Sequence, residues 1–410
     1  MEKFMVAERE LTLAQAEQRI LAELEGFGLH LDIRTIGSKI VATHASVSTY
    51  NPRRRARGAG KGYANQARVG ALYETLEHYL SDHCDTSIAH YIAPSCFSDD
   101  PLFNDDTALA LIAKQNACTA CRTYINPLNH SSFHYPIALC TPGYSNNILA
   151  PDTTNYRSLR RYASNSGTAI GASYNEAVLH AANECIERDA VSLFLLEHFY
   201  YENHPPLRRV ARLPDDDVLG RLWSDAESEI GAEIVLVDIS NEFLPRTFLA
   251  FSIGPCATPR VFGTGCSLMA RHGAWRALTE LVQLHHGAGE PELKHCLRNA
   301  ERHLQNFPRL LRCLRFDLNP LLNRCEQQYV ALTAMPDEQP LAEQIDLLAK
   351  DLQQHGRTLG ISQLHQTRLG TTLVNVVIPG LERFFVVSSG NVVVPQARGR
   401  RLEAPQGVSA

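Results

Sequence analysis

Apolar residues recur along the chain with two periods, and those periods divide it into long helices and short strands. Over residues 12–27, Leu13, Ala16, Ile20, Leu24 and Phe27 form one apolar stripe at helical spacing. Thr12 and Gln15 make a capping box before it, and Gly26 and Gly28 supply the stop. Residues 39–48 are short and β-branched, which predicts a strand. Helical spacing returns over 65–80, 175–197 and 271–286. A helix over 215–230 with strands at 233–239 and 248–253 predicts an α/β unit, and a helix at 341–354 before a strand at 373–378 repeats that habit. Residues 293–314 predict one basic helix with a solvated face. Between 99 and 154 turn residues dominate, with a helix near 107–115 and strands near 122–125 and 137–139. No short-period repeat or low-complexity linker interrupts the pattern.

Length and composition narrow the class. A chain of 410 residues suits two or three domain-sized units or one large α/β unit. Lys+Arg 39 against Asp+Glu 44 leaves a net charge of −5, which argues against broad electrostatic binding of nucleic acid. Charged residues in Met1-Glu2-Lys3-Phe4 exclude a secretory signal at that point, and no apolar run is long enough to span a membrane. Eleven scattered cysteines suit reduced thiols, so a soluble cytoplasmic protein is expected. Cys118 and Cys121 form a lone CxxC, weak as a zinc or redox signal without a second pair. Arg53, Arg54, Arg55 and Arg57 after Asn51-Pro52 read either as a solvated loop or as a contact for phosphate or an acidic peptide.

Three of the long helices carry the candidate chemistry. Glu74 and Glu77, Glu184 and Glu187, and Glu280 and Gln283 each stand three residues apart among apolar neighbours. Residues at that spacing share one helix face. Burying a like-charged pair is expensive unless a cation sits between its members. Arg188 and Arg276 could serve, and Mg2+ serves better, because hard cations take carboxylate oxygens and share them with phosphates. A single ExxE is more simply an exposed helix edge; three such pairs, two ExxE and one ExxQ, each preceded by glycines and small polar residues, weigh against that reading. Those segments are GAGKG (58–62), SNSGTAIGAS (164–173) and FGTGCS (262–267), read as Gly-rich turns that let backbone N–H groups approach phosphate. GAGKG lacks Walker spacing.

In this combination, GKG before an Ala-rich helix with ExxE, then SNSGTAIG…NEA…ECIERDA, then GTGCS…RALTELVQ and a late VVIPGLE, the chain resembles the YcaO family over nearly its whole length. The resemblance implies a single large α+β domain in which mixed β-sheets pack with long helices carrying the nucleotide site. Residues 1–50 would be its N-terminal helix–strand segment, 51–395 the ATP-binding core and 396–410 a polar tail. It implies ATP and Mg2+ as cofactors. Glu74, Glu77, Glu184 and Glu187 would be metal–phosphate ligands, Arg188 would lie beside the phosphates, and Glu176 and Asn165 would contact the nucleotide. Arg276, Glu280 and Gln283 would form a third wall. No Ser–His or Cys–His catalytic pair is implied, and His285 and His286 read as packed or solvated. Gly70 stands where the family usually has serine, and His78 where it usually has arginine.

The implied activity is ATP-dependent activation of backbone amides in a ribosomal precursor peptide. A nucleophile adds to the carbonyl, its oxygen is phosphorylated, and phosphate leaves. Cyclodehydration of Cys, Ser or Thr to thiazoline or oxazoline is the first expectation. Thioamidation with a TfuA-like partner is a serious alternative because LEAPQGVSA replaces the PxPxP ending of many azoline formers. Amidine formation and a non-catalytic scaffold of a modification complex are the others. With the family-like blocks starting near residue 12, a separate leader-binding partner of ocin or ThiF-like type is expected, along with a flavin dehydrogenase and a homodimer or hetero-complex.

Overall fold

The computed structural model describes residues 7–49, 55–81, 90–254, 261–332 and 339–403. Its architecture rests on one motif, a helix, a three-stranded antiparallel meander and a second, longer helix. In the first unit these are α1 (Leu13–Gly26), β1 (His30–Ile36), β2 (Val41–Ser48), β3 (Arg55–Gly62) and α2 (Ala64–Ser81). Next come β4 (His90–Ile92), β5 (Thr119–Ile125), β6 (Ser132–Pro136), β7 (Thr168–Gly171), α3 (Tyr174–Leu195) and β8 (Leu207–Val210). The motif then returns as α4 (Val218–Ile230), β9 (Glu233–Asp238), β10 (Arg246–Ile253), β11 (Phe262–Ser267) and α5 (Ala270–Gly287). Helices α6 (Pro291–Leu304) and α7 (Pro308–Arg315) and strand β12 (Gln327–Val330) lead to α8 (Leu341–Gln354), β13 (Gly360–Gln366) and β14 (Thr372–Val377).

A third copy is assembled from two distant stretches. Strand β14 pairs antiparallel with both β13 and β7, and β7 runs into α3, so α8-β13-β14 from the C-terminal part is completed by β7-α3 from the middle. Helix α1 packs on α2, α4 on α5 and α8 on α3. The first sheet has the order β1-β2-β3, the second β11-β10-β9-β8-β12, and the third β4-β5-β13-β14-β7 with β6 beside β5. The expected α+β domain with mixed sheets is what the structure shows.

The glycines preceding α2 and α5 are strand residues rather than turns, which corrects the reading of GAGKG and FGTGCS. Each lets a helix lie directly on its strand. A Cβ on Gly60 would stand 1.8 Å from the Ala67 carbonyl oxygen, and one on Gly263 2.1 Å from that of Ala277. Residues 168–171 of SNSGTAIGAS are likewise strand β7. The three long helices bury Leu72, Leu76, Ile186, Leu278 and Leu281 completely, each side chain contributing about 1.5–3 kcal/mol of transfer free energy.

Other elements differ from the expectations in definite ways. The capping box of Thr12 and Gln15 forms as anticipated. Residues 137–139 belong to a helical turn, Ile137–Cys140, and not a strand; Pro136 ends β6 there. The helix near 107–115 is a single turn, Thr107–Ala110, capped by Asp106. The helix expected from 215 starts at Val218, because the Asp217 carboxylate accepts the Leu219 and Gly220 N–H groups as N-cap. The basic helix of 293–314 is two, since Pro308 opens a new one at its first position. The polar tail expected from 396 is packed at its start: Gln396 and Arg398 are buried, while Arg400, Arg401 and Glu403 are exposed. Arg398 forks onto Asp189 at 2.8 and 3.0 Å, and Glu382 accepts the N–H groups of Arg383, Gln396 and Gly399. Of the Arg run, residues 53 and 54 lie outside the described residues, and Arg55 and Arg57 are exposed positions of β3.

Candidate functional site

The candidate acids occupy matching places in the three units. Glu74, Glu184 and Glu280 each stand ten residues after the first residue of α2, α3 and α5, and Glu77, Glu187 and Gln283 stand three further on. One helix face of every unit therefore presents a glutamate with a second acid, or in α5 an amide, three residues on at the same height.

Their partners come from neighbouring units in a closed cycle. The Ile170 N–H of β7 donates to Glu77 Oε2 of α2 at 3.0 Å. The Thr264 hydroxyl of β11 donates to Glu187 Oε1 of α3 at 2.7 Å. The Lys61 ammonium of β3 donates to Glu280 Oε2 of α5 at 2.5 Å. Strand alternation explains how: Gly60 and Gly263 turn one face of β3 and β11 to their own helices, and the opposite face hands Lys61 and Thr264 to the adjacent unit. Within the first unit, the Ala59 N–H also donates to Glu74 at 3.3 Å.

Charge in this cluster is unbalanced. Burial pushes the Glu77 carboxyl well above the usual range, and the nearby Glu184 and Glu74 push it further. Burial likewise raises Glu184, against the pull of Arg188, and Glu74, against His78 and Lys61. Glu280 goes the other way. Burial raises it, but Lys61, Arg188 and Arg276 reverse that and hold it below the ordinary value. Arg188 reaches Glu184 at 3.7 Å and Glu187 at 3.8 Å and lies over the Phe385 ring. Glu187 Oε2 is buried without a partner. Acceptor-rich oxygens with one buried oxygen left unpaired fit a hard divalent cation such as Mg2+.

A second layer is basic. One turn earlier on their helices, Arg276 donates to His180 Nδ1 at 2.9 Å, and Arg276 Nε is buried without a partner. Burial, with Arg276, Arg9 and Lys61 nearby, drives the His180 pKa well down and keeps that ring neutral. The matching position of α2 is Gly70, where a Cβ would meet only Gly60 Cα at 3.6 Å. His78, which follows Glu77 as Arg188 follows Glu187, contacts the Arg57 carbonyl at 2.5 Å.

Two expected contacts have other engagements. Both Glu176 oxygens are taken by backbone, accepting the Glu10 N–H at 2.7 Å and the Ala172 N–H at 3.3 Å, so this carboxylate ties the N-terminal segment to the start of α3. Asn165 is exposed in the turn before β7, its carbonyl accepting the Thr168 N–H. Gln283 is half-buried beside Glu280. Lys61 and His180 were not among the candidates. Lys61 was legible as the charged member of GAGKG, once that segment is read as a strand whose glycines all face one way.

A family model described as YcaO cyclodehydratase, ATP- and Mg2+-binding, matches residues 59–382. The chain belongs to the YcaO family. Its cofactors are accordingly ATP and Mg2+. Among solved structures, the YcaO protein of Methanopyrus kandleri bound with AMPPCP and Mg2+ is similar at 18% identity and a TM-score of 0.63, covering 95% of this chain and 96% of that one. A heterocyclase in complex with substrate and cofactor is similar at 16% identity and a TM-score of 0.65, covering 92% of this YcaO chain and 54% of the other. A third is in the E. coli microcin synthetase McbBCD complex with pro-MccB17 bound, at 13% identity and a TM-score of 0.56, covering 86% and 88%. These likenesses concern the fold. No curated protein sequence matches. No described helix of this YcaO protein is long and apolar enough to cross a membrane.

Proposed function

We propose that this YcaO protein activates backbone amides of a ribosomally made peptide and cyclodehydrates Cys, Ser or Thr residues to thiazoline or oxazoline. The observation that carries the reading is the closed cycle of acids, with its surplus of half-buried carboxylates around the buried, unpaired Glu187 oxygen. In this proposal Glu74, Glu77, Glu184 and Glu187 hold Mg2+. Lys61, Arg188 and Arg276 neutralise phosphate oxygens, and Glu280 and Gln283 complete the wall. Asn165 stands at the lip, and we assign Glu176 to anchoring the N-terminal segment. The nucleotide supplies the phosphoryl group that carries the amide oxygen away as phosphate. The chain's own work is positioning and charge neutralisation, large contributions to phosphoryl transfer. Neither demands a nucleophilic side chain of the protein.

The substrate-bound heterocyclase and the pro-MccB17-bound synthetase complex among its structural relatives support a peptide substrate and work within a complex; a separate leader-binding partner belongs to the proposal. Intact mass of the precursor peptide, incubated with partner, ATP and Mg2+, tests the proposal. Azoline formation removes one water per modified residue, matched by one phosphate released. Exchange of oxygen for sulfur would establish thioamidation instead, and nucleotide turnover that ignores the peptide would refute both.

A further inference from the structure

Beyond the acid cluster, helix α3 continues into a wide π turn, Leu196–Tyr200, that places His198 in the interior. Such turns recur at functional sites. The linker that follows contains two non-glycine residues in the left-handed region, Glu202 (φ 57°) and His204 (φ 49°). Side chains adopt it there only when the surroundings hold them. Cys325, also buried, ends the helical turn Leu321–Arg324 just before β12, and the adjoining Glu326 carbonyl accepts the Leu207 N–H at 2.8 Å.

We propose that His198, His204 and Cys325 form a zinc site. One ligand atom from each lies within 4.8 Å of the other two. Cys325 Sγ and His198 Nδ1 are 3.8 Å apart. Around tetrahedral zinc, with Zn–S about 2.3 Å and Zn–N about 2.0–2.1 Å, a sulfur and a nitrogen stand roughly 3.6 Å apart. His204 Nδ1 is buried and lacks a partner, a desolvated state that a ligand would relieve. Thiolate with imidazole selects zinc over magnesium. The site is separate from the carboxylates: His198 follows Glu187 by eleven residues, roughly 16 Å along a helix. His198 also lines a cavity of about 160 Å³ with Arg312, Arg315 and Arg324, so a fourth ligand, water or an anion, has room to reach the ion. Bound zinc would tie the end of α3 to the β8–β12 edge of the second sheet.

The test uses the full chain, stripped with a chelator and titrated with Co2+ or Zn2+ in excess Mg2+, which keeps the carboxylates occupied. The expected result is one ion per chain, with thiolate-to-cobalt charge transfer and the visible bands of a tetrahedral centre. Cys325→Ser should abolish the charge-transfer band, and His204→Gln should weaken zinc binding at least tenfold with an unchanged far-ultraviolet spectrum. Cys118→Ser should change neither. Should Cys325→Ser fail to fold, His204→Gln decides. Absence of the charge-transfer band in the native chain, its survival in Cys325→Ser, zinc affinity unmoved by His204→Gln, or loss of the band in Cys118→Ser would each overturn the site.

Discussion

The Lys61 ammonium lies 2.5 Å from Glu280 Oε2, joining the edge strand of the first unit to the long helix of the second across 219 residues of chain. Ile170 with Glu77, and Thr264 with Glu187, make the corresponding joins between the other units. The three helices thus present their acids inward because each is held by the strand of a neighbour.

Lys61→Gln removes the charge that holds Glu280 ionised. Burial then raises the Glu280 carboxyl unopposed by this partner. Charge-assisted hydrogen bonds contribute about 1.5–3 kcal/mol, so Mg·ATP affinity should fall roughly 10- to 150-fold, readable by calorimetric titration, while the variant remains folded. Native affinity in this variant would remove Lys61 from the site.

Glu187→Gln preserves the oxygen that accepts the Thr264 hydroxyl and deletes the charge on the buried, unpaired one. Phosphate release should drop to background, with Tm within a few degrees of the parent. Undiminished turnover would show that the metal is held elsewhere.

The raised carboxyls fix the sign of a pH effect. Without nucleotide, folded Glu77 and Glu184 keep protons above their ordinary value of 4.5. The stability this lends is complete below 4.5 and disappears as pH climbs through the raised folded values. Metal-bound nucleotide needs the ionised forms, so the Tm increment produced by Mg·AMPPCP should grow as pH rises from 4.5 through the raised folded values. An increment that is flat or shrinks over that range contradicts the assignment.

Glu382→Gln places an amide among three N–H groups that converge on a carboxylate. The amide oxygen still accepts on one side, but the NH2 faces N–H donors on the other and leaves them unpaired, a loss of roughly 1–3 kcal/mol. Hydrogen exchange of residues 396–403 should accelerate in step with the fall in Tm. Protection equal to the parent's would mean that Arg398 and Asp189 hold this strap alone.

Gly60→Ala tests the close approach of α2 to β3. With the Ala67 carbonyl 1.8 Å from the new Cβ, the helix must move, and folding should fail or weaken by roughly 3 kcal/mol or more. Gly70→Ser, which meets only ordinary contact at 3.6 Å, should express and melt like the parent.

Much of this was legible in the one-dimensional pattern. The 3.6-residue period located α1, α2, α3, α5 and α8, because each buries one continuous face, and the i, i+3 pairs, acid–acid on α2 and α3 and acid–amide on α5, marked the candidate stripe on three of them. Local chemistry is written locally: the capping box of Thr12 and Gln15 needs nothing beyond four residues. What only tertiary structure decided is long-range. Periodicity carries no information about which strand lies beside which, so the third unit, built from 341–377 and 168–195, has no contiguous signature. Glycines in β3 and β11 look like turns until a helix is seen resting on them. Both oxygens of Glu176 turn out to be taken by backbone, and the C-terminal strap is packed because Glu382, Asp189 and Glu242 supply acceptors for its N–H groups and for Arg398. The sequence determined which side chains could carry charge into the interior; the cycle of neighbouring units decided where those charges meet, since only in three dimensions do residues two hundred positions apart share one dielectric.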